Sequence, residues 1–139
     1  MGGPMCRRLL GAGYPVCAFD LNETALAEAV AAGAGRAASA SACAAGADVF
    51  LTSLPRPDHV QSVMAGDDGA LAAMRPGSVW VDLTTNRKEL VAGLAAAAPA
   101  GVSVVDSPVT GAVDGARNGK LTLFVGGDAV VVARVTPVL

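Results

Sequence analysis

The strongest constraint on this chain is a repeated alternation. Short, β-rich apolar runs (Val16 to Phe19, Val49 to Leu54, Ser78 to Leu83, Val102 to Val105, Leu121 to Val125) are separated by stretches of helical spacing. Consecutive parallel strands need a crossover of about a dozen residues or more, and a helix is the ordinary crossover. The spacing therefore predicts βαβ units: an α/β, Rossmann-like, doubly wound and mainly parallel sheet with helices on both faces. Ligands of such sheets sit beyond the carboxyl ends of the strands. The residues of interest are then Asp20, Leu54-Pro55, Asp82 to Thr85, and Asp106 to Ala112.

The local signals fill in the elements between those points. Met1 to Leu10 reads as a helix ended by Gly11-Ala12-Gly13, and Val16 to Phe19 as a buried strand. Asn22 is placed to cap the next helix, whose inner face is expected to carry Leu26 and Val30 and which should end at Gly33 to Gly35. Ser39 to Ala45 and Asp58 to Met64 read as short helices, and Arg75-Pro76-Gly77 as a turn. Asn86 is a candidate cap for a helix running to about Ala98. Pro108 to Gly119 reads as a glycine-rich loop, and Asp128 to Leu139 has helical spacing.

Composition excludes several classes. The chain is 53% hydrophobic, which invites a membrane reading. Yet the longest charge-free stretch, Leu90 to Val105, is alanine-rich and broken by Pro99 and Gly101, whereas a spanning helix needs about 20 strongly apolar residues. The opening Met-Gly-Gly-Pro lacks the pattern of a secretory signal. A net charge of -2, spread along the chain, gives no footprint for nucleic acid or an anionic membrane. Cys6, Cys17 and Cys43 form no C-x-x-C pair, and His59 is the sole histidine. No metal site is expected, and the thiols fit a reducing, cytoplasmic setting. At 139 residues the expectation is one domain.

Each post-strand residue has two readings. Asp20 suits the ribose hydroxyls of a bound dinucleotide, or else caps a helix together with Asn22. His59 invites a catalytic role, but with nothing beside it in sequence to orient it, a surface or helix-start position suits it better. The hydroxyls of Thr84 and Thr85 either cap a helix or face a ligand. In the loop from Ser107 to Ala116, Gly111 lets backbone N–H groups approach an anion and Thr110 adds a hydroxyl donor.

Taken in order, these segments resemble a known family. Met1-Gly2-Gly3-Pro4-Met5, Arg8-Leu9-Leu10, Gly13-Tyr14-Pro15-Val16 and Phe19-Asp20 are followed by Leu54-Pro55 and Asp82-Leu83-Thr84-Thr85. Then come Asp106-Ser107-Pro108-Val109-Thr110-Gly111-Ala112 and the run from Gly115 to Gly127. The pattern is similar to the β-hydroxyacid dehydrogenase family, the group of 3-hydroxyisobutyrate dehydrogenase and tartronate semialdehyde reductase, related to 6-phosphogluconate dehydrogenase. The resemblance covers essentially the whole chain, and its D-x-P-V-[ST]-G-x-x-x-G-A loop is specific.

The resemblance implies NAD as cofactor, with NADP disfavoured by the charge of Asp20. It implies Gly2 at the phosphate-binding turn, Asp20 on the adenosine ribose, Leu54, Pro55 and His59 along the cofactor channel, and Thr85 near the nicotinamide ribose. Thr110, Gly111 and Ala112 would hold the carboxylate of a small 3-hydroxy acid. The implied reaction is hydride transfer between that acid and NAD, in a full-length enzyme expected to be a cytoplasmic homo-oligomer. Ala112 stands where the family usually has a second glycine. The family's first strand and first two fingerprint glycines have no counterpart here, nor does its catalytic lysine or its helical second domain. Neither Lys88 nor Lys120 matches the position of that lysine. The expectation is a partial dinucleotide-binding domain over residues 1–139 with no catalytic residue of its own and no turnover alone. A silent dinucleotide-binding module and an NADP-dependent imine-reductase-like relative are the alternatives.

Overall fold

Asn22 shows how local chemistry starts this fold. Its side chain accepts the N–H groups of Thr24 and Ala25 at 3.0 and 3.1 Å. That satisfies orphan donors of helix α2 (Glu23–Ala31), and Gly33 at φ +111° then turns the chain away. Ser39 and Asp128 cap α3 (Ala40–Ala45) and α8 (Ala129–Val135) in the same way, and Pro57 opens α4 (Pro57–Ala65). The structure, a computed structural model, describes residues 1–139. Its remaining helices are α1 (Gly2–Gly11), α5 (Ala70–Ala73), α6 (Lys88–Ala96) and α7 (Ala112–Asn118).

The strands are β1 (Cys17–Ala18), β2 (Gly35–Arg36), β3 (Val49–Thr52), β4 (Val79–Asp82), β5 (Ser103–Asp106), β6 (Val109–Thr110) and β7 (Thr122–Leu123). β1 pairs with β2 in parallel, and β3, β4 and β5 form a parallel sheet with β4 in the middle. β6 and β7 form a small antiparallel ribbon. All four residues of β4 are buried.

Side chains alternate across a strand, so the central sheet has two apolar faces. One carries Phe50 and Trp80 against Val60, Met64, Leu71 and Leu94 from α4, α5 and α6. The other carries Val79, Val81 and Val105 against Val135 of α8, with Met5 of α1 beside them. Covering both faces is the doubly wound arrangement that the alternation predicts. Alanines 40, 44 and 70 are buried where α3 lies against α5, so small side chains permit close helix contact.

Several local expectations are corrected. The run from Val16 to Phe19 is not a buried strand: β1 is two residues long, pairs on one side only, and leaves Cys17 exposed. On α2 the buried pair is Leu26 and Ala29, three apart, whereas Val30 is 39% exposed. The stretch Pro108 to Gly119 is not one loop but holds β6 and α7. Gly111 and Gly119 serve the tight entry and exit of that helix. Asn86 does not cap α6, whose cap position is Arg87. The short elements β2 and α5 carry too few residues to give a periodic signal.

Candidate functional site

The carboxyl edge of the central sheet is built on a row of three polar residues. Thr52, Asp82 and Asp106 end β3, β4 and β5, stand in register, and therefore share one face. Asp82 is fully buried. Its Oδ1 accepts the Thr52 hydroxyl at 2.8 Å and the Thr84 N–H at 3.0 Å, and its Oδ2 accepts Asn86 Nδ2 at 3.0 Å. The Thr52 oxygen in turn accepts Trp80 Nε1–H at 2.9 Å. Burying a carboxylate costs several kcal/mol unless donors surround it. Here they do.

The same network reaches the two loops above the strands. The Thr84 hydroxyl accepts the Leu54 N–H at 3.0 Å. It thus neither caps a helix nor faces outward; it ties the Leu54-Pro55 turn to the loop after β4. Thr85, one residue on, is exposed. Leu54 is half-buried and Pro55 exposed. Sequence reasoning named Leu54 and Thr85 as site residues but missed Thr52, Thr84 and Asn86 as their supports. The sequence signal was present: polar residues at the end of each apolar run.

Gly2 begins α1 next to this edge, since a Cβ built on it would lie 4.0 Å from Ser53 Cβ. No side chain caps α1, and its first turn holds no acidic residue. The uncapped amides of a ten-residue helix form a site that favours an anion. Asp20 is exposed, and one of its oxygens accepts the Asn22 N–H at 2.8 Å. Its second oxygen has no protein partner, so both readings of Asp20 are compatible with the geometry.

His59 does sit in the first turn of a helix, α4, but it is not without a neighbour. Arg56 Nη2 lies 2.9 Å from His59 Nε2, and Arg56 also makes two bonds to Asp58 at 3.0 and 2.7 Å. An arginine can only donate, so this contact makes Nε2 the acceptor. The hydrogen bonds from Arg56 hold the Asp58 carboxyl below the usual range.

The loop after β5 is shaped by backbone. Phe124 N–H bonds to Pro108 O at 3.0 Å, and β6 pairs with β7 to fix Thr110, which is exposed. Gly111 has φ +126°, and a Cβ there would meet Leu121 Cδ2 at 3.2 Å. Only glycine suits that position. Ala112 follows at φ +53°, the sole non-glycine residue with positive φ. The departure from a second glycine thus leaves an alanine in the left-handed region, at a cost of about 1–2 kcal/mol.

Asp106 and Ser107 introduce this loop with two orphan atoms. Asp106 Oδ1 and Ser107 Oγ are buried without a hydrogen-bond partner. Burial pushes the Asp106 carboxyl up from its ordinary range, and the charge of Asp82 adds to the effect. A cleft of about 340 Å³ lies between α6 and β5 and is lined by Lys88, Val91, Val104 and Asp106 among others. None of the residues singled out as cofactor or substrate ligands lines it. No group of three or more His, Cys, Asp or Glu side chains converges anywhere. No helix is long and apolar enough to cross a membrane.

Comparison with known proteins identifies the family of the chain. Over 140 residues the chain is 44% identical to 3-hydroxyisobutyrate dehydrogenase of Pseudomonas aeruginosa, covering 100% of this chain and 47% of that protein. It is 40% identical to the NAD-dependent L-serine dehydrogenase of the same organism, covering 99% and 46%. Among solved structures, 3-hydroxyisobutyrate dehydrogenase of Mycobacterium tuberculosis with L-serine superposes with a TM-score of 0.92 at 38% identity, covering 100% and 47%. The chain thus spans about half the length of these relatives. Residues 1–139 match the model of one family throughout, and the chain belongs to it: the NAD binding domain of 6-phosphogluconate dehydrogenase.

Proposed function

We propose that residues 1–139 form the dinucleotide-binding part of an oxidoreductase that moves a hydride between a small 3-hydroxy acid and NAD. The observation that carries this reading is the meeting of α1's uncapped N-terminus, the Ser53-Leu54 turn and Thr84, the neighbour of Thr85, at one edge of the sheet. In this reading the amides of Gly2 and Gly3 bind pyrophosphate, and Asp20 holds the ribose hydroxyls and repels a 2′-phosphate. Leu54, Pro55 and His59 line the channel, and Thr85 lies toward the nicotinamide ribose. Thr110 with the backbone at Gly111 and Ala112 holds the substrate carboxylate. Bound NAD supplies the hydride acceptor.

The names of the relatives support a hydroxy-acid substrate, because those proteins are called 3-hydroxyisobutyrate, 2-(hydroxymethyl)glutarate and L-serine dehydrogenases. Neither Lys88 nor Lys120 belongs to this site in the reading, so the chain supplies cofactor binding and no general base. The complete enzyme is proposed to be a cytoplasmic homo-oligomer. Three free thiols support a reducing compartment.

Titration calorimetry of the 139-residue chain with NAD and NADP tests the proposal. NAD is expected to bind at least about tenfold more tightly than NADP, the like-charge penalty at Asp20 being of order 1–4 kcal/mol. Asp20→Asn should narrow that gap. Equal affinities for the two, or no binding of either, would refute the assignment.

A further inference from the structure

We propose that Asp82 is a positioning residue that holds the Leu54-Pro55 turn and the Thr84–Asn86 loop in one arrangement. Its meaning for cofactor binding rests on the reading above; its geometry stands in this chain alone. The carboxylate lies inside the sheet end and hydrogen-bonds to neither Leu54 nor Thr85. It acts through intermediates. Oδ1 fixes the Thr84 backbone, and the Thr84 hydroxyl, so placed, takes the Leu54 N–H. Oδ2 fixes Asn86, whose Oδ1 accepts the Arg87 N–H at 2.8 Å where α6 begins. Thr52 anchors the other lone pair of Oδ1 and is itself pinned by Trp80.

A carboxylate is the side chain this junction demands. Three donors converge on it, and an ionised Asp is acceptor-only, whereas Asn would turn an N–H toward at least one of those donors. The ladder at the strand end is made independently by the backbone, through Leu83 N–H to Thr52 O at 2.8 Å and Ser107 N–H to Asp82 O at 2.7 Å. The sheet therefore does not need the Asp82 side chain to stay paired. The loops do.

Backbone amide hydrogen exchange by NMR, on the whole chain, separates a positioning role from a merely structural one. In Asp82→Asn, exchange at Leu54 and Thr84 is expected to rise at least about tenfold, while Val81 and Val105 within the ladder stay as in wild type. Asn86→Ala, a milder change that removes the Oδ2 donor and the acceptor of the Arg87 N–H, should raise Leu54 exchange about threefold although Asn86 makes no hydrogen bond to Leu54. Thr84→Val should reproduce the Leu54 effect and Thr84→Ser should restore wild-type exchange. NAD affinity, followed by fluorescence of Trp80, the one tryptophan, should fall about tenfold in Asp82→Asn.

Unchanged Leu54 exchange in both Asp82→Asn and Asn86→Ala would overturn the proposal. So would a rise spread equally over the amides of β3, β4 and β5, or unaltered NAD affinity in Asp82→Asn where wild type binds. If the wild-type chain takes no NAD, the cofactor reading falls on that titration and the exchange data alone decide the role of Asp82. If Asp82→Asn does not fold, the Asn86→Ala result decides it.

Discussion

Replacing Thr52 by valine probes how much of this fold depends on its buried polar network. The two side chains have nearly the same shape, so the change removes a hydroxyl and opens no cavity. Thr52 is 4% exposed, and Trp80 and Asp82 are fully buried. The variant loses a hydrogen bond to a charged acceptor, worth about 1.5–3 kcal/mol. It also strands Trp80 Nε1–H, at a further 1–3 kcal/mol or so, and saves about 1 kcal/mol because no hydroxyl has to be desolvated. The net loss is about 3 kcal/mol. For a domain of this size that lowers the urea midpoint by about 1.5–2 M and the melting temperature by about 10 °C. Equilibrium urea unfolding followed by Trp80 emission measures it. Thr52→Ser keeps the hydroxyl, loses one methyl and should cost only about 1 kcal/mol. A Thr52→Val variant within 1 kcal/mol or so of wild type, or a serine variant equally damaged, would refute the reasoning.

Two further outcomes follow from the loop after β5. The folded state raises the pKa of Asp106, so it holds the proton more tightly than the unfolded chain does. The stability this contributes is fully present below the ordinary carboxylate pKa, near 4, and is lost as pH rises through the raised value. Asp106→Asn should therefore be more stable than wild type at pH 7 and lose that advantage by about pH 4, as urea midpoints at the two pH values would show. Ala112→Gly relieves a φ of +53° and should add about 0.5–1 kcal/mol, raising the melting temperature by a few degrees. A lower melting temperature would contradict the strain argument.

How far the site was legible in the sequence depends on the range of the interactions that build it. Asn22 as a cap, Gly33 as a helix end and the turn at Arg75-Pro76-Gly77 were readable because the partner atoms lie within a few residues. Val30, expected inside, points out because the buried pair on α2 follows a spacing of three instead of four. Asn86 looked like a cap, yet its amide donates to Asp82. That preference depends on a buried carboxylate whose exposure no local pattern encodes. His59 likewise gained Arg56 as a neighbour only through the path the chain takes into α4.

By itself, the sequence determined the alternation of strand and helix, the two apolar faces of the central strands, and the family motifs at each strand end. These are periodic or short-range properties, written in residues that are neighbours along the chain. Tertiary structure alone decided that Thr52, Asp82 and Asp106 share a row, that the Thr84 hydroxyl serves Leu54, and that Ala112 sits in the left-handed region. Strand register brings together groups about thirty residues apart. Water competes for each of those hydrogen bonds until packing removes it, so only the folded sheet selects the partner.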